Sequence, residues 1–530
     1  MYTAVMNTQD KSSRKDLSPS EYSEKPGLQY ASSKSPEFKK KFGQYITPVT
    51  VASFMAKLIN PKKENVTILD PGAGTGVLSC SLLEHISKLD TPPKNIKVVV
   101  YEIDEGIIPY LKQALDYSKQ WLKTKKINLV YQIKLKDFIL ENADSFNLEG
   151  TLFPLENSVE KFDYIISNPP YFKLSKSDQR SKIASKIVHG QPNIYAIFMM
   201  VSALLLNDNG EMVFITPRSY AAGPYFKAFR EYFFTVIQPT YIHLFGSRKD
   251  AFDKEAVLQE NIILKAVKDH TFEKPNVKVT VSFSQGVKDL DNVAKRDIPI
   301  QDIIDLNSKN KVLRIPVTDK EDQIVELVHS WKENLHSLGL NISTGPVVAF
   351  RAIEYINENG QSNGHNYAPL LWMQNIKAME AKWPANSKKK QFIEDSEGTK
   401  ALLLPNKNYV VIRRFSAKEE DKRLVAAPYL SDSIKSETIG LENHLNYIYK
   451  PHGDLSLEET IGLSALLNSD LLDTYFRTSN GNTQVSATEL KDMPLPNIEV
   501  IRDIGKEIMK NQLENGRIDK LVEDYLVIPT

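Results

Sequence analysis

The sequence predicts an α/β protein, built as a mainly parallel seven-stranded sheet with helices on both faces and followed by a mixed α/β region. Three observations lead there. Between Pro36 and Asp269, short apolar runs bounded by turn residues alternate with longer segments of helical period. Strict alternation of this kind requires crossover connections, and crossovers produce parallel strands covered by helices. Beyond Asp269 the alternation stops, and β-prone, basic and turn-rich stretches follow without a regular order.

In chain order, Met1 to Ser35 is rich in Ser, Lys and Glu with few periodic apolar residues, which predicts a mobile tail over residues 1–35. Strands are expected at Val66–Asp70, Lys97–Glu102, Leu129–Leu135, Phe162–Ser167, Glu211–Thr216, Thr240–Phe245 and Asn261–Val267. Helices are expected at Val77–Leu89, Glu105–Leu122, Ile194–Leu206 and Tyr220–Thr235. The last two strands have no helix between them, so they are expected to pair antiparallel and close one edge of the sheet. Residues 36–270 form one domain on this reading and 271–330 a bridging segment with β-prone stretches at Val277–Phe283 and Val312–Val317. Residues 331–530 form a second domain carrying the basic or turn-rich stretches Ser387–Lys390, Tyr409–Ser416 and Glu419–Leu424.

Composition narrows the class. The chain has 530 residues, 67 Lys+Arg against 66 Asp+Glu, and 41% hydrophobic residues, which is enough apolar material for two or three cored units and excludes a mainly disordered chain. Cys80 is the one cysteine, so neither an internal disulfide nor a cysteine-based zinc site is possible, and a reducing, cytoplasmic setting is expected. No apolar stretch approaches the ~18 residues of a membrane span, and the N-terminus lacks the apolar core of a signal peptide. A net charge of +1 rules out a uniformly basic surface, so any nucleic-acid contact has to come from local concentrations of positive charge. No metal site is expected.

Two sites carry the chemistry. In VTILDPGAGTG, Asp70 ends an apolar strand and Gly72, Gly74 and Gly76 follow before a helix. Glycines allow a tight turn and close approach of backbone to ligand, and in open parallel sheets ligands bind at the carboxyl ends of strands. Glu102 ends the next strand and is placed to accept ribose hydroxyls; Asp137 and Phe138 end the third, a carboxylate for an exocyclic amine and a ring to lie against a purine. The spacing G-A-G-T-G departs from the dinucleotide pattern G-x-G-x-x-G, and no P-loop lysine is present. A methyl donor carrying an adenosine fits these strand ends, although the glycines alone leave a dinucleotide open.

The second site is Asn168-Pro169-Pro170-Tyr171, at the end of the fourth strand. The Asn168 amide oxygen and the Pro169 carbonyl can both accept from one NH₂ group, and the prolines hold those acceptors rigidly while adding no donors. Drawing both amino hydrogens toward acceptors keeps the nitrogen lone pair out of the ring and available to attack a sulfonium methyl. Tyr171 offers a flat face to a planar base. Positioning and electrostatics then do most of the catalysis, and no strong base is needed.

These residues resemble the γ class of S-adenosylmethionine-dependent adenine-N6 DNA methyltransferases, with their Rossmann-like seven-stranded methyltransferase sheet and a C-terminal target-recognition domain. KFGQYITPVTVASFMAKLI, DPGAGTG, YEID, KDF and NPPY occur in the order of that class. The resemblance implies S-adenosyl-L-methionine as cofactor, held by Tyr45, Thr47, Pro48, Asp70, Gly72, Gly74, Glu102, Ile103, Asp137, Phe138, Asn168 and Phe198. It implies catalysis by Asn168, Pro169, Pro170 and Tyr171, with the flipped adenine stacked between Tyr171 and Phe252; Phe245 is the alternative to Phe252. Leu89–Asn95 is an insertion relative to a compact unit of this kind.

The second half is similar to the specificity region of the Eco57I-like and PstI-like branch, which has a TaqI-like specificity domain, through NISTGPVVAFRA, YVVIRRFSAKEEDKRLVAAPY, IGLENHLNYI and LLNSDLLDTYFRTSNGNTQVSATELKDMPLP. Double-stranded DNA is the implied partner, with Arg351, Arg413, Arg414, Arg423, Asn443, Asn446, Asn482 and Gln484 as candidate contacts to phosphates or bases. The implied role is that of a monomeric modification enzyme working beside a separately encoded restriction endonuclease, with an orphan methylase as the alternative. RNA or a protein glutamine amide remains an alternative acceptor for the same chemistry. The tripeptide Glu380-Ala381-Lys382 has the E-x-K form found in nucleases but lacks an upstream Pro-Asp partner.

Overall fold

The computed structural model describes residues 17–32, 35, 47–147, 160–188, 192–246, 261–269, 277–304, 310–358, 360, 366–416, 420–480, 484–512 and 515–526. Its described residues fall into two compact units, one from residues 1–221 and 225–317, the other from 222–224 and 318–530.

The first unit is built on a nine-stranded sheet of order β3-β2-β1-β4-β5-β7-β6-β8-β9. Its strands are β1 Asn65–Asp70, β2 Asn95–Glu102, β3 Asn128–Leu135, β4 Phe162–Ser167, β5 Leu206–Pro217, β6 Gln238–Phe245, β7 Asn261–Val267, β8 Lys278–Ser284 and β9 Ala294–Pro299. From β3 to β5 all pairings are parallel; β7 then enters antiparallel between β5 and β6. The central strands are apolar on both faces because both faces are covered: β4 is buried throughout. Alternate residues feed two cores. Leu69, Val99 and Ile165 join helices Ile194–Leu205 and Lys227–Val236 on one side. Ile68, Val98 and Ile166 join helices Val49–Lys57, Val77–Ile86 and Ile108–Thr124 on the other.

All seven expected strands are present, but β6 and β7 do not close the sheet. They pair antiparallel as expected, and β6 then takes β8 as a parallel neighbour, with β9 antiparallel at the edge. The sheet therefore runs past residue 270 into the expected bridging segment, because Val279 and Val281 on β8 find places in the first of the two cores. Val312–Val317 forms no strand; Leu313 makes only an isolated bridge to Ile304.

The expected mobile tail contains a helix, Pro19–Ser32. Tyr22 stacks on Tyr117 at 4.1 Å, Ser20 Oγ donates to Glu84 at 2.6 Å, and Tyr30 Oη donates to Asp104 at 2.6 Å. These contacts are scattered over polar and aromatic positions, so they left no periodic apolar signal in the sequence.

The second unit contains the sheets β10-β20-β17-β18 and β11-β15-β12-β19-β16, a two-stranded pair β13-β14 and a helical layer, with β11 Ile356–Asn357, β12 Tyr367–Leu371, β13 Ile376–Lys377, β14 Glu380–Ala381, β15 Phe392–Glu394 and β16 Leu403–Pro405. The strands used below are β10 Asn341–Thr344, β17 Tyr409–Arg413, β18 Ala426–Tyr429, β19 Thr438–Leu441 and β20 Leu445–Tyr449. Helices Leu457–Asn468 and Ile498–Asn511 cross at two glycines: a Cβ on Gly462 would lie 1.9 Å from the Ile501 carbonyl oxygen, and one on Gly505 2.1 Å from that of Glu458. Only glycine permits backbones to pass this closely. Among the described residues, no helix is long and apolar enough to cross a membrane.

Candidate active site

The parallel order places the ends of β3, β2, β1 and β4 side by side, and both sequence-predicted sites lie on this edge of the first unit. Asp70 is fully buried at the end of β1, where its Oδ2 accepts from Ser79 Oγ at 2.7 Å. Burial pushes its carboxyl up to about 7, against the opposing pull of hydrogen bonds from Ser79 and the Gly72 backbone. Its Oδ1 has no hydrogen-bond partner among the described residues. The loop that follows turns through Gly74 and Gly76, both at positive φ, and the space where a Gly74 Cβ would stand is open to 4 Å.

Glu102 closes over this loop. Its Oε2 accepts from Gly74 N at 2.9 Å, while Oε1 accepts from Ile103 N at 2.8 Å and Asp104 N at 2.9 Å. Burial raises its pKa, and the three N–H groups oppose that rise. Ile103 beside it is 47% exposed, a large apolar side chain left uncovered at the lip of the site. Phe138 and Phe198 pack together at 5.2 Å beneath, with Phe198 Cε1 3.7 Å from the Cβ position of Gly72.

Asp137 has a structural task. Its Oδ1 caps the turn Phe138–Glu141 by accepting from Ile139 N and Leu140 N, each at 3.0 Å, and its Oδ2 lies 3.4 Å from Arg180 Nη1. Arg180 is held by Asp178 at 2.7 Å and sits 5.8 Å from the Phe172 ring, so it ties the segment after Tyr171 to the end of β3. Nothing in the sequence singled it out; it lies in a polar stretch without periodicity.

Asn168 stands three residues beyond Ile165, which pairs with Leu69, the residue before Asp70, across β1 and β4. Its Nδ2 donates to the buried Thr47 Oγ1 at 3.1 Å. Tyr171 Oη donates to Asn168 Oδ1 and also lies 2.9 Å from the Ile215 carbonyl; with one proton it serves one acceptor at a time. The Tyr171 ring meets Tyr195 edge-on at 6.1 Å. Pro169 is buried, and Pro170 and Tyr171 are half-buried.

Thr47 and Pro48 are thus placed beside the Asn168 segment, Pro48 as the N-cap of Val49–Lys57. Tyr45 and Phe252 lie outside the described residues. Phe245, the alternative to Phe252, is closed into the core at 1% exposure, edge-on to His243.

In the second unit the candidate contacts divide. Arg351 is exposed, and Arg413, Arg414, Asn443 and Gln484 are half-buried. Arg413 Nε donates to the Ile376 carbonyl at 2.7 Å and Arg414 Nη1 to that of Asn443 at 3.0 Å. In the amide orientation that satisfies both groups, Gln484 accepts from Arg414 at 2.7 and 2.9 Å. Arg423 and Asn446 do not face solvent. Arg423 is wholly buried, its Nε on Ser416 Oγ at 2.9 Å and its guanidinium 5.8 Å from the Phe476 ring. Asn446, equally buried, donates to the Val485 carbonyl at 2.9 Å and accepts from Thr344 at 3.0 Å. Both are internal fasteners, so neither is a surface contact for DNA. Asn482 lies outside the described residues.

The donor set fits S-adenosylmethionine on observations of this site: an orphaned buried carboxylate oxygen on Asp70, open space over Gly74, and an uncovered Ile103. The Eco57I restriction-modification methylase family matches residues 75–252. The type II methyltransferase M.BsuBI of Bacillus subtilis is 34% identical over 92% of this chain and 95% of its own. M.PstI of Providencia stuartii is 32% identical over 92% and 93%. Among solved structures, the type IIG restriction endonuclease BpuSI aligns with 98% of this chain and 65% of its own at 15% identity and TM-score 0.45. Identity at this level along nearly the full length of two type II methyltransferases makes the chain a member of the Eco57I-like restriction-modification methylases, a DNA methyltransferase with S-adenosyl-L-methionine as its cofactor.

Proposed function

We propose that the protein methylates N6 of an adenine flipped out of duplex DNA, as the modification enzyme of a restriction-modification system. The observation that carries this reading is the Asn168 amide, buttressed by Thr47 and standing beside the Asp70–Gly74 loop. An amide oxygen held there can accept from an exocyclic amine next to a donor site on the neighbouring strand.

When bound, the cofactor supplies an electrophilic methyl on a sulfonium. The chain's own residues do the rest. Thr47 holds the Asn168 amide nitrogen, so the amide oxygen, which also takes the Tyr171 hydroxyl, is the acceptor for the incoming amine, and Glu102 and Asp70 present carboxylate oxygens at the ends of β2 and β1. Tyr171 provides a ring for the base, with Phe252 as the second ring of the sandwich. Flipping costs a few kcal/mol, and aromatic stacking worth roughly 1–3 kcal/mol per base offsets it. The amine sheds its proton to solvent after methylation, so no general base is assigned. The second unit is the target-recognition domain on this reading, with Arg351, Arg413, Arg414, Asn443 and Gln484 as its candidate DNA contacts.

The test is methyl transfer from labelled S-adenosylmethionine to duplex DNA, RNA and protein acceptors, followed by nucleoside analysis of the product. N6-methyladenine at a fixed duplex sequence is expected. Label appearing on cytosine, or transferred better to RNA or protein than to DNA, overturns the reading.

A further inference from the structure

Phe350 is 75% exposed and Ile353 71%, two large apolar side chains standing in solvent on one short loop of the second unit. A loop of this kind is ordinarily soft, but this one is pinned. Gly345 N donates to the Leu445 carbonyl at 2.8 Å, Val347 N to Leu441 at 3.1 Å, and Asn443 N to Val347 at 2.9 Å. A Cβ on Gly345 would lie 2.4 Å from the Glu442 carbonyl oxygen, so the loop is seated directly on the β19–β20 turn. Val347 and Ala352 are buried on either side of the apex, and Arg351 N and Ala352 N both donate to the Val348 carbonyl, at 2.9 and 3.1 Å.

The apex therefore presents Phe350 on a stiff turn. The Arg351 guanidinium lies 5.4 Å from the Phe350 ring, so aromatic face and positive charge are delivered together. The same β19–β20 turn carries Asn443, whose carbonyl holds Arg414. An exposed aromatic ring with a cation beside it on the same turn matches a polymer that offers flat π-faces between rows of phosphates. Folding gains nothing from leaving such a ring in water.

We infer that Phe350 is a wedge residue: on binding, its ring enters a base step of duplex DNA while Arg351 takes an adjacent phosphate. Apolar side chains inserted between base steps unstack and bend the duplex, which is the deformation that base flipping requires. The inference rests on duplex DNA as the acceptor and adds a binding element apart from the catalytic residues.

The experiment uses the full chain and a short duplex containing the sequence that the wild type methylates. Phe350→Ala is expected to weaken duplex affinity about ten-fold, the factor lost with one stacked ring, with an unchanged salt slope and unfolding midpoint. Arg351→Ala is expected to reduce the salt slope by about one phosphate contact. Phe350→Trp is expected to keep affinity and to show an indole signal, above that of the four native tryptophans, quenched on adding duplex. Affinity of Phe350→Ala within two-fold of wild type, or an indole at 350 unmoved by duplex, overturns the wedge. Wild-type protein that fails to methylate or bind any duplex overturns the acceptor assignment instead, so the two failures are distinguishable.

Discussion

The two units offer their polar residues in different ways. In the first, Asp70, Glu102, Asp137 and Asn168 all lie at or just beyond the ends of the parallel strands β1 to β4 of one sheet, so topology alone carries them to a common edge. In the second, Arg423 and Asn446 sit among residues of the same type as Arg351 and Asn443, yet two are wholly buried while one of the others is exposed and one half-buried. A residue at the end of a parallel strand has its surroundings set by the backbone. A residue near a turn in a mixed fold has them set by packing partners far away in sequence, such as the 50-residue reach from Arg423 N to Asp473.

The sharpest way to break the first half of that comparison is Asn168→Ala. If strand-end placement makes this amide the acceptor for the target amine, single-turnover methyl transfer falls by about 10²–10³-fold, the range for loss of one preorganised polar group in an active site. Donor affinity, measured by calorimetry, falls much less. A rate within ten-fold of wild type sinks the assignment.

The second half is tested by Arg423→Ala set against Arg351→Ala. Emptying a wholly buried site that bonds Ser416 and covers the Phe476 ring is expected to cost ~2–5 kcal/mol of stability. The exposed Arg351 change is expected to stay within about 0.5 kcal/mol. Chemical denaturation measures both, and equal stabilities for the two variants would erase the distinction between fastener and contact.

The same contrast explains what was legible beforehand. Most strands of the expected sheet were readable because they are apolar runs buried on two faces, whereas β3, at the sheet's edge with Leu129 its one buried residue, was readable from its Val, Tyr and Ile content. The NPPY and glycine segments stood out in the sequence because the chemistry argued for them is local. The helix Pro19–Ser32 was missed because its anchors, Tyr22, Ser20 and Tyr30, are polar or aromatic residues that answer to Tyr117, Glu84 and Asp104 far along the chain. The extension through β8 and β9 was missed because a short β-prone run carries no information about which edge it joins. Arg423 was misplaced because an arginine in a basic stretch looks the same in sequence whether its guanidinium faces solvent or a Phe476 ring.

The smallest expected effect compares a buried carboxylate in each unit. Asp70 has a hydroxyl partner in Ser79, whereas Glu442 has His444 Nδ1 at 2.8 Å, with Lys389 and Arg414 also acting on it. Burial raises both pKa values, that of Asp70 to about 7 from 3.8. Below about pH 4 Asp70 is protonated whether the chain is folded or not, and its contribution is fully present. Between about 4 and 7 the folded chain keeps a proton that the unfolded chain has released, so stability falls as pH rises through this window and levels off above it. Asp70→Asn removes that slope, and the variant should gain on wild type steadily from pH 4 to 7 in unfolding midpoint. Glu442→Gln should shift the balance in the same direction but less, because the cations around Glu442 already favour its charged form. A difference between Asp70→Asn and wild type that does not change with pH would mean that Asp70 is as well compensated as Glu442. The first unit's site would then hold no carboxylate left waiting for a ligand.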